Sequence, residues 1–587
     1  MSFDTVTTLA ERVNVENVLL GSFVKAGSTI RISVKLQEAK SGEILAAERV
    51  EASGEADLFP RVDDLTRRLK TRFETTKTAA VWADRDLKDV TTASPEAYRY
   101  YVEGINLHEE GKEKEAIPLL EKAVALDPDF AMALAKLSVV YGNVGLFKQA
   151  DECGKRALAH VERLTARERY YVEGVHYSRK RETWSRSLQA YRKAVELFPD
   201  HASARNNIAV VAMDLERFDE AIEQYEELKR QGMTFPWTHS GLALAYHCRG
   251  DVDKGEQAIR QFGEENPRNA FAQDALGSHL ALVGKLDEAL AAHDRAEALA
   301  PGEPDLQMGR AELFVLRDEW DRAQAAARAA AESSSPFPRA VGSAILSELW
   351  LYKGRSRDAL GIVEQRARAL LGTGLLGSRA HNRWASILLL RGQPALALDI
   401  ARKARLQGHG DDAEVRALFL EALAQARLGR HADAAKSAAA LQGLLDLVPG
   451  IPSTRMAHHL AGELALVEGR ASAAVEQLKQ ATALLSPRGG IDPPPPHIPI
   501  WFALASAHLA AGEDAAAAEW FGRVAGSNAE RVRHPIPYVR SFYFLGKLHE
   551  KRGEMDKARE HYRRFVSFWR DGDLDRERVA EAERKLR

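Results

Sequence analysis

"GINLHEEGKEKEAIPLLEKAVALDP" (Gly104–Pro128) and "GSHLALVGKLDEALAAHDRAEALAP" (Gly277–Pro301) lie far apart in the chain and share one spacing. Each starts on a small residue and has a glycine seven residues later. An alanine stands twelve residues after the first position, a second alanine seven beyond it, and a proline five beyond that. This spacing suits two helices in a hairpin. The first small residue lies on helix A and the first alanine on helix B, because only small side chains let two helices approach closely. The glycine between them ends helix A and permits a positive φ. The proline falls after helix B, where it cannot extend the helix.

The twelve-residue pair recurs as Gly104/Ala116, Ser138/Ala150, Ala209/Ala221, Ala243/Gly255, Gly277/Ala289 and Ala311/Ala323. It continues as Ser347/Ala359, Ala385/Ala397, Ala422/Ala434, Gly462/Ala474, Ala505/Ala517 and Gly546/Ala558. A further unit fits with one extra residue between Gly174 and Ser187, giving thirteen units from about Pro95 onward. This is the spacing of the tetratricopeptide repeat, a helix–turn–helix unit of about 34 residues. The expected fold is mostly α: a tetratricopeptide-repeat α-solenoid, a right-handed superhelix of helical hairpins. No single unit buries its apolar face; stacking on neighbours does. Spacers lengthen late in the chain, and Pro493–Pro496 reads as a stiff spacer.

Before the repeats, Ile30, Ile32, Val34 and Leu36 alternate with polar residues. That is the period of a strand with one buried face. Val18–Lys25 is its expected partner and Ile44–Glu51 a third strand. Leu58, Val62, Leu65, Leu69 and Phe73 mark one face of a helix, and a short helix is expected at Thr5–Val13. The division read from this is a small α/β module at 1–76, a linker at 77–94 and the repeat array at 95–587. The stretch "LLGSFVKAGST" (Leu19–Thr29) resembles a phosphate loop only at first sight. Gly21 and Gly27 are six apart, no lysine follows Gly27, and a strand rather than a helix comes next.

The segment "ERVNVENVLLGSFVKAGSTIRISVKLQEAKSGEILAAERVE" resembles the TolB-like amino-terminal module found before tetratricopeptide arrays in bacterial signalling proteins. "EAYRYYVEGINLHEEGKEKEAIPLLEKAVALDPDF" and "PIPYVRSFYFLGKLHEKRGEMDKAREHYRRF" resemble the array of the same family. The strand that opens such modules has no counterpart before Phe3, which reads the module as incomplete at its start. The resemblance implies a signalling role, and the regulatory C-terminal half of a serine/threonine protein kinase as the alternative. The Gly-rich loop, His-Arg-Asp loop and Asp-Phe-Gly triplet of a kinase domain are absent from this sequence.

The formal net charge is -2 with 28% charged residues, which gives no general attraction to nucleic acid or anionic membrane. Two cysteines, Cys153 and Cys248, make no disulfide framework and suit a reducing compartment. No apolar run reaches the ~18 residues of a membrane span. A cytoplasmic location is expected, or an extracytoplasmic one if the chain derives from a longer membrane-anchored kinase. His458 and His459 are adjacent and cannot form an i, i+4 ligand pair, and no G-x-S-x-G elbow occurs. The reading is therefore non-enzymatic, with no catalytic, cofactor or metal residues.

What remains is binding. Stacked hairpins turn their A helices toward a concave groove. Counted from each unit's start, the groove positions include Tyr98, Tyr101 and His108, then Asn206 and Asn207, then Trp237 and His247. The resemblance adds that in peptide-clamping repeat domains an asparagine often stands where Asn207 does, with its amide on a peptide backbone. The clamp's companion basic residues are sparse here, Lys136 being alone among the early units. The expected partners are other proteins or peptides, bound extended or as a helix; no nucleic acid and no membrane insertion are expected.

Overall fold

The computed structural model describes residues 17–73, 91–109, 112–333, 336–371, 375–408, 412–490 and 497–587. The helix expected at Thr5–Val13, most of the 77–94 linker and the Pro493–Pro496 spacer lie outside them.

Strands β1 (Asn17–Ala26), β2 (Thr29–Glu38) and β3 (Ile44–Ala52) form an antiparallel sheet in that order. Ala26 pairs with Thr29, so a two-residue turn joins β1 to β2, and Gly27 sits there at φ 60°. This is the hairpin geometry that a left-handed residue allows. Val34 and Val50 on one sheet face pack with Leu65 of helix α1 (Leu58–Phe73). "LLGSFVKAGST" is thus strand, turn, strand, with no helix N-terminus to meet a phosphate.

Among the described residues thirteen helix pairs follow. They are α2 (Pro95–Glu109) with α3 (Glu113–Leu126), α4 (Ala131–Asn143) with α5 (Phe147–Ala159), and α6 (Ala166–Tyr177) with α7 (Trp184–Leu197). Next come α8 (Ala202–Asp214) with α9 (Phe218–Arg230), α10 (Thr238–Arg249) with α11 (Val252–Glu265), and α12 (Ala270–Leu282) with α13 (Leu286–Leu299). The series continues with α14 (Pro304–Leu316) and α15 (Trp320–Ala331), α16 (Pro336–Tyr352) and α17 (Ser356–Ala369), α18 (Leu375–Leu390) and α19 (Pro394–Arg405). It ends with α20 (Asp412–Arg427) and α21 (His431–Asp446), α22 (Ile451–Val467) and α23 (Ala471–Ala483), α24 (Ile498–Ala510) and α25 (Asp514–Ala525), α26 (Pro535–Lys551) and α27 (Met555–Trp569). A further helix, α28 (Arg576–Leu586), buries Val579 and Ala582. The architecture is a tetratricopeptide-type α-solenoid preceded by a small three-stranded sheet.

The chain forms two compact units. Unit 1 comprises 1–179, 185–208 and 224–238, and unit 2 comprises 180–184, 209–223 and 239–587.

The turn and spacing rules hold in detail. Gly145, Gly250, Gly284, Gly354, Gly392, Gly429, Gly469, Gly512 and Gly553 all take positive φ between helix A and helix B. At two turns the glycine is replaced, and Glu216 and Asp318 adopt φ 55° and 57° instead. A left-handed non-glycine residue costs roughly 1–2 kcal/mol, so something must offset it there. The close approach predicted by the twelve-residue pair also appears. Ser138 Oγ donates to the Ala150 carbonyl at 2.6 Å. A methyl added at Gly255 would stand 2.7 Å from the Ala243 carbonyl oxygen. The structure adds a contact beyond the pair: the small helix-A residue also faces the side chain sixteen residues on. A methyl added at Gly462 would meet Leu478 at 2.5 Å, and one at Gly277 would meet His293 at 2.8 Å.

Unit 2 is more than a sum of neighbouring pairs. One buried core joins Ala311, Ile345, Tyr352 and Ile387 to Val532, Tyr538, Phe565 and Trp569. Trp569 Nε1 donates to the Leu351 carbonyl at 3.0 Å. Asp573 accepts from the Ser356 and Arg357 amides at 2.9 and 3.1 Å, satisfying the first N–H groups of α17 from far along the chain. The two acidic turn residues find their compensation here. Glu216 pairs with Arg455, both side chains 6% exposed, and Arg455 also donates to the Leu484 carbonyl at 2.8 Å. Asp318 holds Arg531 at 3.0 Å and Arg564 at 2.7 Å.

Candidate functional site

In unit 1 the positions expected to line a groove fall into two groups. Tyr98 and Tyr101 of α2 lie 6.1 Å apart, and Tyr101 stands 4.9 Å from Phe130. Tyr101 is buried and Tyr98 half-buried, with Phe59 of α1 edge-on to Tyr98 at 6.0 Å. His108, at the end of the same helix, is buried and sits 2.9 Å from the Glu113 carboxylate. Its ring joins α2 to α3 rather than facing open space.

The second group is larger. Tyr171 of α6 stacks on His201 at 5.6 Å and lies 6.4 Å from Tyr191 of α7. Lys136 of α4 is buried; its ammonium donates to the Tyr171 hydroxyl at 3.3 Å and sits 4.9 Å from the ring centre. Burial and then the Arg167 charge push the His201 imidazole down to about 4, so it is neutral at physiological pH. Asn207 is half-buried, and its Nδ2 donates to the Tyr191 hydroxyl at 2.9 Å. That fixes the amide's orientation and leaves Oδ1 without a hydrogen bond among the described residues. Asn206, one residue earlier, is buried and accepts from Trp237 Nε1 at 3.1 Å. Trp237 in turn stacks flat on Phe235, with centroids 5.4 Å apart and planes 5° apart, and both rings are half-buried.

The structure therefore links Asn206 with Trp237 and seats Asn207 beside Tyr191. Lys136, Tyr171 and Phe235 extend this row, although sequence reasoning passed over the last two. Their signal was available as aromatic residues flanking an amide pair.

His247 lies in unit 2 and meets different chemistry. It is buried, and its Nε2 stands 3.0 Å from the Gly489 carbonyl. It borders a cavity of about 630 Å³ with Arg488, His497, Trp501, Arg523 and Glu530. Burial pushes the Glu530 carboxyl up to about 7, and burial with the Arg455 charge pushes His497 down to about 4. Ser486, His497 and Glu530 have the composition of a nucleophile, base and acid. Their bonding is different: Ser486 Oγ donates to the Arg488 carbonyl at 2.8 Å and stands 3.4 Å from His497 Nε2. Glu530 Oε2 accepts from the His497 backbone N–H at 2.8 Å, and its Oε1 stands 3.3 Å from His497 Nδ1. The Ser486 proton is committed to the Arg488 carbonyl rather than to His497, so the serine is not activated as a nucleophile in this arrangement. Among the described residues no cluster of His, Cys, Asp and Glu has the arrangement of a metal site. No described helix is long and apolar enough to cross a membrane.

The chain is similar to several known repeat proteins. Tetratricopeptide-repeat family models match residues 97–130, 171–234 and 539–568. A type IV pilus assembly protein, PilF, of Pseudomonas aeruginosa is 28% identical over 221 residues, covering 37% of this chain and 86% of that protein. Among solved structures, yeast Tom70 aligns over 83% of this chain and 95% of its own, at 13% identity and a TM-score of 0.34. A tetratricopeptide repeat protein from Parabacteroides merdae aligns over 42% of this chain and 98% of its own, at 15% identity and a TM-score of 0.30. The family-model matches show tetratricopeptide repeats at those three stretches of the chain.

Proposed function

We propose that this repeat-bearing chain is a non-enzymatic interaction scaffold that holds an extended peptide, or a helical segment of another protein, along the helix-A faces of unit 1. The observation that carries the reading is the Asn207 side chain. Its donor end is fixed on Tyr191, and its acceptor end has no hydrogen bond among the described residues. A fixed amide acceptor, one residue from the asparagine that holds half-buried Trp237, is suited to a peptide N–H with an apolar side chain next to it. Tyr98 and Trp237 would supply apolar contact area, Tyr101 would back Tyr98, Asn206 would hold the Trp237 indole, His108 would hold the end of α2, and His247 remains a candidate only in unit 2. The relative named for type IV pilus assembly supports a role in assembling proteins in a bacterium.

The test compares affinity capture by the full chain with capture by Asn207→Ala and by Trp237→Ala, after quantitative mass spectrometry. Loss of the same specific proteins from both variants is expected. Retention of the full set by both variants would remove this surface from consideration.

A second reading is the regulatory half of a serine/threonine kinase. It is favoured by the strand–turn–strand sheet and helix ahead of the repeats, as the TolB-like resemblance implies. An in-frame kinase domain or an adjacent kinase gene upstream of Met1 would support it. A cytoplasmic location is proposed with the first reading and an extracytoplasmic one with the second; fractionation of cells distinguishes them.

A further inference from the structure

Unit 2 contains a second cavity, of about 140 Å³, whose lining includes Arg383, Arg416, Arg427, Arg533, His534 and Glu463. The arginines come from three places: Arg383 from α18, Arg416 and Arg427 from α20, and Arg533 from the segment before α26. Two carboxylates behind the wall engage some of them. Glu348 lies 3.1 Å from both Arg383 and Arg533, and Glu312 lies 2.7 Å from Arg533. Arg427 donates to the Leu389 carbonyl at 2.7 Å. Glu463 stands 3.8 Å from His459 Nε2.

Arg416 is different. Its guanidinium lies 5.1 Å from the Phe419 ring centre and makes no hydrogen bond or ion pair among the described residues. With Glu312, Glu348 and Glu463 set against these four arginines and against buried Arg366, which faces Glu348 and Arg533, positive charge is in excess. The surroundings register that surplus. Burial, followed by the neighbouring Arg383, Arg416 and Arg533 charges, pushes the His534 imidazole down to about 3. Burial also lowers both Arg383 and Arg416 from the ordinary arginine value. An unpaired cation in a confined space is costly unless an anion meets it.

We propose that this cavity binds a small free oxyanion, a compact dianion of the size of inorganic phosphate or a short dicarboxylate, with Arg416 as its principal donor. Guanidinium groups present paired N–H donors that match phosphate or carboxylate oxygens. The cavity is well below the several hundred Å³ of pockets that take larger ligands, so a peptide chain does not fit. The bound ion would bridge α18, α20 and the segment before α26, elements brought together by the contacts that fold unit 2 back on itself. The site is separate from the peptide surface proposed for unit 1, and either can fail without the other.

Titration calorimetry on the full chain, with inorganic phosphate and with succinate at constant ionic strength against chloride, tests this. Saturable one-to-one binding of either dianion supports the proposal, and the tighter of the two identifies the class. Arg416→Met, which keeps the apolar stem, is expected to weaken binding about 10-fold or more. Its melting temperature without dianion should hold or rise, because a surplus charge has been removed. Arg416→Lys should recover part of the binding, while Arg559→Met, an exposed surface change, should leave it intact. No saturable response to either dianion, undiminished binding by Arg416→Met, or a fall in that variant's dianion-free melting temperature would each overturn the assignment.

Discussion

Glycine-to-alanine substitution separates the packing contribution from the helix contribution, because its sign should reverse between two positions of this chain. At Gly546, in α26, an added methyl would stand 2.6 Å from Cε1 and 2.7 Å from Cδ1 of Tyr562. That is about 1 Å inside ordinary carbon–carbon contact of roughly 3.5–4.0 Å. The ring has little room to yield. Tyr562 is 1% exposed, and its hydroxyl donates to Glu550 at 3.0 Å. Overpacking of this kind costs ~1–3 kcal/mol, against a helix gain of ~0.5–1 kcal/mol for replacing glycine. Gly546→Ala should therefore destabilise the α26/α27 pair by about 0.5–2 kcal/mol. At Gly443, exposed in α21, the same methyl meets nothing within 4 Å. Only the helix gain remains, so Gly443→Ala should stabilise its pair by ~0.5–1 kcal/mol. Repeat arrays open locally, so hydrogen exchange read by mass spectrometry suits the question better than one global melt. Exchange in α26 and α27 should quicken about 2- to 30-fold in Gly546→Ala, and exchange in α21 should slow a few-fold in Gly443→Ala. Slower exchange in both variants would refute the close-packing account of the hairpins.

Three further outcomes are expected. Ala289, fully buried at the α12/α13 contact, tolerates no enlargement: Ala289→Leu should cost ~1–3 kcal/mol and quicken exchange in α12, α13 and α14 before the rest of unit 2. Glu216→Gly relieves a strained turn by ~1–2 kcal/mol but leaves buried Arg455 without its carboxylate, at ~3–5 kcal/mol. Urea unfolding should therefore begin earlier, and an unchanged or later midpoint would show the pair to be dispensable. Burial holds His201 and His279 neutral, each pushed down to about 4. Unfolded histidine takes up its proton near pH 6.5, so between 6.5 and 4 the unfolded chain binds more protons and stability falls with pH. The melting temperature should drop across that window, and His279→Gln should make the drop shallower.

The hairpins were legible because their physics is local. A small residue, a turn that needs positive φ and a second small residue twelve positions on are all fixed by the geometry of one helix pair. The β1–β2 turn was legible for the same reason, through Gly27 and the alternation of Ile30, Val34 and Leu36. The folding back of unit 2 was not. Arg455, Arg531 and Trp569 occupy ordinary helix or spacer positions, and a contact across two hundred residues leaves no periodic mark. One trace existed: Glu216 and Asp318 stand where the repeat prefers glycine, and a strained acidic turn points to a distant cation. The bonds made by the expected groove positions were not readable. Asn207 and Trp237 sit in one row of rings and amides, whereas His247 meets Gly489, a partner that no counting of positions within a repeat could supply. Arg416 looked like any charged residue on a helix until its neighbours were known.

The reach of Arg531 also has a consequence in time. It lies 216 residues beyond Val315, whose carbonyl it meets. At a synthesis rate of about 5–20 residues per second, roughly 10–40 s pass between the two leaving the ribosome. For that interval Asp318 is without Arg531 and Arg564, and the backs of α14 and α16 have yet to receive the final helices. The nascent chain, more than the finished protein, is therefore the form that calls for a chaperone.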